Sequence, residues 1–379
     1  MNTNVKGLYC IKCGAKMPVG DNFYGCPNCY ENGERSSLAF EYHDNKIVND
    51  GRVGIQKYGK TLPYLDIITL GEGNTPIISV PRLANDLDLK NVFIKNEFQN
   101  PTGSHKDRMS PLVIERAKEL GKKVVVVASS GNAGSSLAAY AALAGLECKI
   151  IVTNKITPIY KESFRATGAD LIVTETPSER WEYMKYKVET EGWYPVTNFI
   201  SPPVGSNSFG VQGYKTVAYE IKDHFGNDIP EFIFIPVSRG DLLWGIYEGF
   251  KELLDTKDIR RMPKLVAIEP FKRISKVLDG TDYKTEFSGE YGKTESVGGG
   301  TVTYQSYHAV KESGGFAVEV EESEIEENVE KLSSYGFYLQ NSSAMVMGAM
   351  RKAMESELMP KGSSALLIAT SHGFKNMVK

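Results

Sequence analysis

Several things are scarce in this chain of 379 residues. No run of 18 apolar residues occurs, which excludes a membrane-spanning helix. The opening stretch, MNTNVKGLYC, lacks the apolar core of a signal peptide, so a cytoplasmic location is expected. There is no large excess of either charge. The 44 basic and 47 acidic side chains leave a net charge of −3, and nothing in that balance recruits nucleic acid or an anionic membrane. No internal repeat or low-complexity tract is visible. What is present is length enough for two or more domains, each with a sizeable core.

Cysteine is also scarce, but its placement is not even. Four of the five fall within twenty residues: Cys10, Cys13, Cys26 and Cys29. Two C-x2-C pairs separated by a twelve-residue spacer supply four thiolates from two tight turns, the pattern of a zinc ribbon. Gly14, Gly25 and Pro27 suit those turns. A redox pair is the alternative, although a single CxxC would suffice for it. Four thiolates leave no open coordination position, so the expected Zn2+ is structural. Cys148 lies in an apolar stretch and reads as strand packing.

The linear reading is a zinc ribbon over 1–35, a polar connector over 36–69, and two α/β domains over 70–205 and 206–379. From about residue 70, short Val/Ile-rich runs alternate with helical patterns. The runs are Val92–Ile94, Val124–Ala128, Lys149–Thr153, Leu171–Thr174, Phe232–Pro236, Leu265–Ile268 and Leu366–Ala369. Continuous apolar strands separated by helices predict parallel sheets covered on both faces, a doubly wound α/β architecture. The stretch 272–316, with Gly298-Gly299-Gly300, breaks this rhythm and reads as an insertion or a mobile segment.

In such sheets ligands bind where strands run out into helices. Three turns have that position: ASSGNAGSS at 128–136, PVSRGDLLWG at 236–245 and ATSHGFKN at 369–376. Free N–H groups at a helix start can hold an anion. A fourth stretch, NPTGSHKDRMS at 100–110, frames Lys106 in a turn at the mouth of a helix. A lysine amine held there and desolvated can form a Schiff base with an aldehyde. A solvated Lys-Asp-Arg run is the plainer reading of the same residues.

These motifs, taken in order, resemble the fold-type II pyridoxal-phosphate enzymes, and most closely the threonine synthase group. The matching stretches are GEGNTP at 71–76, KNEFQNPTGSHKDR at 95–108, ASSGNAG at 128–134, GYKTVAYEI at 213–221 and ATSHGFK at 369–375. The resemblance implies two α/β domains of the tryptophan synthase β-like kind and the cofactor pyridoxal 5'-phosphate. It implies that Lys106 carries the cofactor and shuttles protons, that Asn132 meets the ring's phenolic oxygen, and that Thr370 meets the ring nitrogen. Ser129, Ser130, Gly131 and Ala133 would line the substrate carboxylate pocket. A hydroxyl at the ring nitrogen leaves the ring largely neutral, which suits elimination and replacement more than transamination. The implied partners are a small amino-acid substrate, possibly phosphorylated, and a second copy in a homodimer.

Three departures from the family pattern stand out. The usual glycine- and asparagine-rich phosphate turn reads Ser238-Arg239-Gly240-Asp241. Arg239 can replace lost backbone donors, whereas Asp241 would repel a phosphate unless it pairs with Arg239. Upstream of the GYKT-like helix, Asn198 fits the family's substrate site but no arginine accompanies it, leaving Lys155 or Lys161 to hold a phosphate leaving group. His105 replaces the more usual Phe before the lysine, and either touches the cofactor phosphate or packs. The expected activity is elimination or replacement at Cβ or Cγ of an amino acid, with threonine synthase first. The alternatives are a β-replacement synthase acting on O-phosphoserine or another activated serine, as cysteate synthase does, a serine/threonine dehydratase, and a cofactor-free binding protein.

Overall fold

The computed structural model describes residues 1–129 and 131–376, and Ser130 lies outside them. The chain forms two compact units, each discontinuous in sequence. The first holds Met1–Asn74 and Lys106–Thr216; the second holds Thr75–His105 and Val217–Asn376.

In the first unit, Val5–Cys10 is the middle strand of a three-stranded antiparallel sheet, flanked by Lys16–Met17 and Leu38–Tyr42. This small sheet has no room for a core of its own. Leu8, Leu38 and Phe40 instead share one apolar cluster with Ile55, Leu62, Leu112 and Phe209. The segment after the ribbon contributes a 3-10 helix, Gly54–Thr61, that buries Ile55 and Tyr58. The Phe40 and Phe209 rings meet edge to face at 5.0 Å, and Tyr42 donates to Gln212 Oε1 at 3.1 Å. Asp21 pairs with Arg116 at 2.9 Å. The cysteine-bearing end of the chain is therefore packed onto helix Ser110–Glu119, the helix that follows Lys106.

The same unit contains a parallel four-stranded sheet in the order Asp170–Thr174, Glu147–Thr153, Val124–Ala128, Tyr194–Pro195. Val125, Val126 and Val127 are fully buried, which is why this strand reads as an unbroken apolar run.

The second unit is built on a six-stranded sheet in the order Phe316–Glu319, Lys264–Glu269, Phe232–Pro236, Ser364–Ile368, Asn91–Lys95, Ile77–Ser79. All neighbours are parallel except the last pair. Its core joins Phe232, Phe234 and Val266 to Met345, Met347 and Met350 of helix Asn341–Glu355. At the end of strand Asn91–Lys95, the fully buried Lys95 amine contacts Glu220 Oε2 at 2.6 Å and Thr75 Oγ1 at 2.7 Å. Thr75 in turn donates to Glu97 at 2.6 Å. The stretch that breaks the sequence rhythm carries helices Ile274–Leu278 and Tyr304–Glu312 and buries Tyr283, Phe287 and Val302. Among the described residues no helix is long and apolar enough to cross a membrane.

Candidate active site

Lys106 stands in a short 3-10 turn, His105–Arg108, just ahead of helix Ser110–Glu119. Its carbonyl accepts the Met109 N–H at 3.0 Å. The residue is half-buried, with Nζ 5.8 Å from the centre of the Tyr214 ring. Tyr214 is fully buried, and its hydroxyl donates to Met109 Sδ at 3.5 Å. The next two residues are not solvated: Asp107 and Arg108 are both 0 % exposed. Arg108 Nη1 donates to Thr216 Oγ1 at 2.8 Å. Gly213 packs against the Arg108 carbonyl so closely that a Cβ there would lie 1.8 Å from its oxygen. Of the Lys-Asp-Arg run, only the lysine is left partly open.

The GEGNTP loop supplies a further buried acid that the motif alone did not flag. Glu72 Oε2 accepts from Thr69 Oγ1 at 2.9 Å, the Leu70 N–H at 3.1 Å and the Tyr140 hydroxyl at 2.6 Å. Its Oε1 is buried and has no hydrogen-bond partner among the described residues. Burial pushes the Glu72 carboxyl up, against the pull of those three donors and of its own backbone N–H. Tyr140 is raised too, by burial first and then by the negative charges of Asp107 and Glu72, with Arg108 opposing them.

The loop after Val124–Ala128 leads into helix Asn132–Ala144, whose N-cap, Gly131, makes no side-chain cap. Ser129 Oγ accepts the Gly131 N–H at 3.3 Å. Ser129, Gly131 and Ala133 are half-buried, and Asn132 is buried with its Oδ1 taking the Tyr160 hydroxyl at 3.1 Å. Asn198 sits elsewhere in the unit and braces its own loop. Its amide donates to the Ile200 carbonyl at 2.7 Å, and its Oδ1 accepts the Val204 N–H at 3.1 Å. Lys155 is exposed, on the loop after strand Glu147–Thr153.

In the second unit, the Ser238–Asp241 turn follows strand Phe232–Pro236 and opens helix Asp241–Asp255. Gly240 is the N-cap with φ +84°, and a Cβ there would lie 2.4 Å from Ser306 Cβ, so geometry and space both require glycine. Ser238 and Arg239 are half-buried, and Asp241 is buried with its Oδ1 accepting from Gln305 Nε2 at 2.7 Å. Thr370 ends the strand Ser364–Ile368 loop; its N–H donates to Ser343 Oγ at 2.8 Å and its carbonyl accepts the His105 N–H at 3.0 Å. His105 Nδ1 lies 3.3 Å from the same carbonyl. Thr370 itself is 6 % exposed.

The four cysteines converge as the spacing predicts, with all four Sγ atoms within 4.8 Å of one another. Cys10 to Cys29 is 3.6 Å and Cys13 to Cys26 is 3.7 Å. Tetrahedral zinc–thiolate bonds of about 2.3 Å place sulfurs roughly 3.8 Å apart, so the set fits the ion. Burial pushes Cys10 up, but the Cys13 and Lys12 N–H groups and Ser36 more than offset this, bringing it to about 7. Cys26 and Cys29 are pushed up instead, mainly by burial and by the neighbouring thiols.

In the first unit a half-buried amine on a pinned turn, and in the second a turn at a helix start from which a Cβ is excluded, each suit pyridoxal phosphate in donor chemistry. Comparison with known proteins agrees. The chain is 29 % identical to threonine synthase of Methanocaldococcus jannaschii over 387 residues, covering 97 % of this chain and 92 % of that one. It is 26 % identical to threonine synthase of Methanosarcina acetivorans, with the same coverage. Among solved structures, the processed form of threonine deaminase isoform 2 from Solanum lycopersicum shares the fold, with a TM-score of 0.68 at 21 % identity over 80 % of this chain and 84 % of that one. Residues 68–371, which span every motif from the GEGNTP loop to the Thr370 turn, match the family described as pyridoxal-phosphate dependent enzyme, and the chain belongs to it.

Proposed function

We propose that this enzyme is a threonine synthase, converting O-phosphohomoserine and water to threonine and phosphate. The observation that carries the reading is the similarity over 97 % of this chain to the threonine synthases of Methanocaldococcus jannaschii and Methanosarcina acetivorans. Pyridoxal phosphate, when bound, withdraws electrons from the substrate Cα and makes protons at the neighbouring carbons labile. The chain's own residues then take five roles. Lys106 holds the cofactor through its amine and afterwards accepts and returns those protons. The Tyr214 ring, 5.8 Å away, gives the ammonium form of that amine a favourable face. Asn132 and Thr370 orient the ring by hydrogen bonds, and the Ser129–Ala133 loop takes the substrate carboxylate at a helix start. The Ser238–Asp241 turn holds the cofactor phosphate. Zn2+ on Cys10, Cys13, Cys26 and Cys29 plays a structural part, and the reading carries with it a homodimer in the cytoplasm.

A β-replacement on O-phosphoserine is the second reading, favoured by the lack of any arginine between Asn198 and Thr216. One experiment separates the two: phosphate release from O-phosphohomoserine and from O-phosphoserine, with threonine identified as product. Faster release from O-phosphohomoserine supports the first. Release from O-phosphoserine alone overturns it. Lys106→Ala should lose the yellow band that borohydride abolishes in the parent, and all turnover.

A further inference from the structure

The segment from Val297 to Ser306 grips the Ser238–Asp241 turn at successive points. Thr303 Oγ1 donates to the Arg239 carbonyl at 2.6 Å. Gln305 Nε2 donates to Asp241 Oδ1 at 2.7 Å in a buried setting. Ser306 fills the space beneath Gly240. Arg273, 1 % exposed, ties the two segments together. Its Nη2 donates to the Val237 carbonyl at 2.9 Å and the Val297 carbonyl at 3.3 Å, and its Nη1 donates to the Gly299 carbonyl at 2.5 Å. Glu269 anchors the arginine by accepting its backbone N–H at 3.0 Å. Arg239 is near enough for its charge to act on Arg273, whose pKa falls to about 10 through burial first, with Arg239 adding to that against the opposing pull of Glu269.

An acid at the first position of a helix that must receive a phosphate is a contradiction in charge. We propose that Gln305 resolves it as a positioning residue: it binds the Asp241 carboxylate to helix Tyr304–Glu312, so the turn's backbone donors serve the phosphate of the cofactor. A neutral amide suits this role. It fixes the carboxylate by donating a hydrogen bond and adds no charge of its own that would compete for the anion. The inference rests on reading the 238–241 turn as the phosphate-holding turn.

The test titrates purified apoprotein with pyridoxal 5'-phosphate and, separately, with pyridoxal, which lacks the phosphate, following the absorbance of the lysine-bound chromophore. The parent should bind the phosphorylated form more tightly. Gln305→Leu should weaken that binding at least tenfold and leave pyridoxal binding unchanged, and adding Asp241→Asn to it should restore most of the loss. If the parent shows no preference for the phosphorylated form, the reading of the turn itself fails. If the parent shows the preference but Gln305→Leu binds both forms as the parent does, or weakens both equally, the positioning role is overturned. Should Gln305→Leu not fold, as judged by circular dichroism, Gln305→Asn is measured against the same expectations, since its shorter side chain falls short of Asp241.

Discussion

Glu72→Gln tests a buried carboxyl that shares the surroundings of Tyr140 with Asp107 and Arg108. Glu72, Asp107 and Arg108 are all 0 % exposed. Asp107 and Arg108 carry opposite charges, whereas one of the two Glu72 oxygens has no donor among the described residues. An ionised carboxylate with a bare buried oxygen is costly, so the carboxyl keeps its proton to a pH above the ordinary 4.5. The sign follows from linkage. A carboxyl raised on folding contributes its full stability below its unfolded pKa and loses that contribution as pH rises through the folded one. The parent should therefore lose stability relative to Glu72→Gln by about 1.4 kcal/mol per pH unit above 4.5, levelling off past the folded pKa. For a chain of 379 residues that corresponds to roughly 2 °C in melting temperature per unit. Glutamine can place its oxygen where Oε2 sits, leaving its amide at the bare position. That adds a pH-independent cost of about 1–3 kcal/mol, which shifts the curve without changing its slope. Urea unfolding of both proteins between pH 4.5 and 8 reads the difference directly. A difference that stays flat over this range, or slopes the other way, means Glu72 is ionised and partnered in the fold, and the reasoning is wrong.

Metal analysis should find one zinc per chain. Its removal by a chelator should lower the melting temperature by several degrees, because Leu8 and Phe40 share a core with Leu112 and Phe209; a stoichiometry near zero with unchanged stability counts against the site. Glu220→Ala removes the carboxylate 2.6 Å from the buried Lys95 ammonium, leaving it Thr75 and, at 3.8 Å, Glu97, and should cost about 3 kcal/mol in urea unfolding; no loss of stability counts against the pair. Gly213→Ala forces a Cβ to within 1.8 Å of the Arg108 carbonyl oxygen, and should cost at least about 2 kcal/mol together with most of the cofactor's absorbance. Gly20→Ala, whose nearest neighbour would be 3.5 Å away, should change neither.

The central strands were legible because burial on both faces leaves an unbroken apolar run. Val124–Ala128 and Phe232–Pro236 fall where their sequences place them. The cysteine knuckles were legible because metal geometry constrains spacing over very few residues. The edge strand Ile77–Ser79 was not, since three largely exposed residues have no period to read. Helix Tyr304–Glu312 was missed because it begins without a side-chain cap inside a polar stretch. The partners of the site escaped for a different reason. Asp241 and Gln305 lie 64 positions apart, and Glu72 and Tyr140 lie 68 apart. Neither pair repeats at any interval that one sequence exposes, and only the fold brings them together.

The lysine turn shows why local composition misleads where function is concentrated. Lys-Asp-Arg reads as a solvated charge run, because three adjacent charges seldom all lose water. Here two of them are buried so that the third is held. Arg108 is fixed at its guanidinium by Thr216 and at its carbonyl by Gly213, both from the GYKT segment more than a hundred residues later. With the backbone pinned one residue past Asp107, and the Lys106 carbonyl tied to Met109, the lysine's Cα has little freedom left. Its long side chain would otherwise sample many rotamers, and the entropy lost on fixing it weighs against any reaction that needs one amine position. Restricting the backbone first reduces that loss at the moment of reaction, which is the advantage of preorganisation. The same segment supplies Tyr214 beneath the amine. One stretch, GYKT, thus fixes both ends of the lysine's environment, and substitutions there should act on the cofactor linkage before they act on substrate preference.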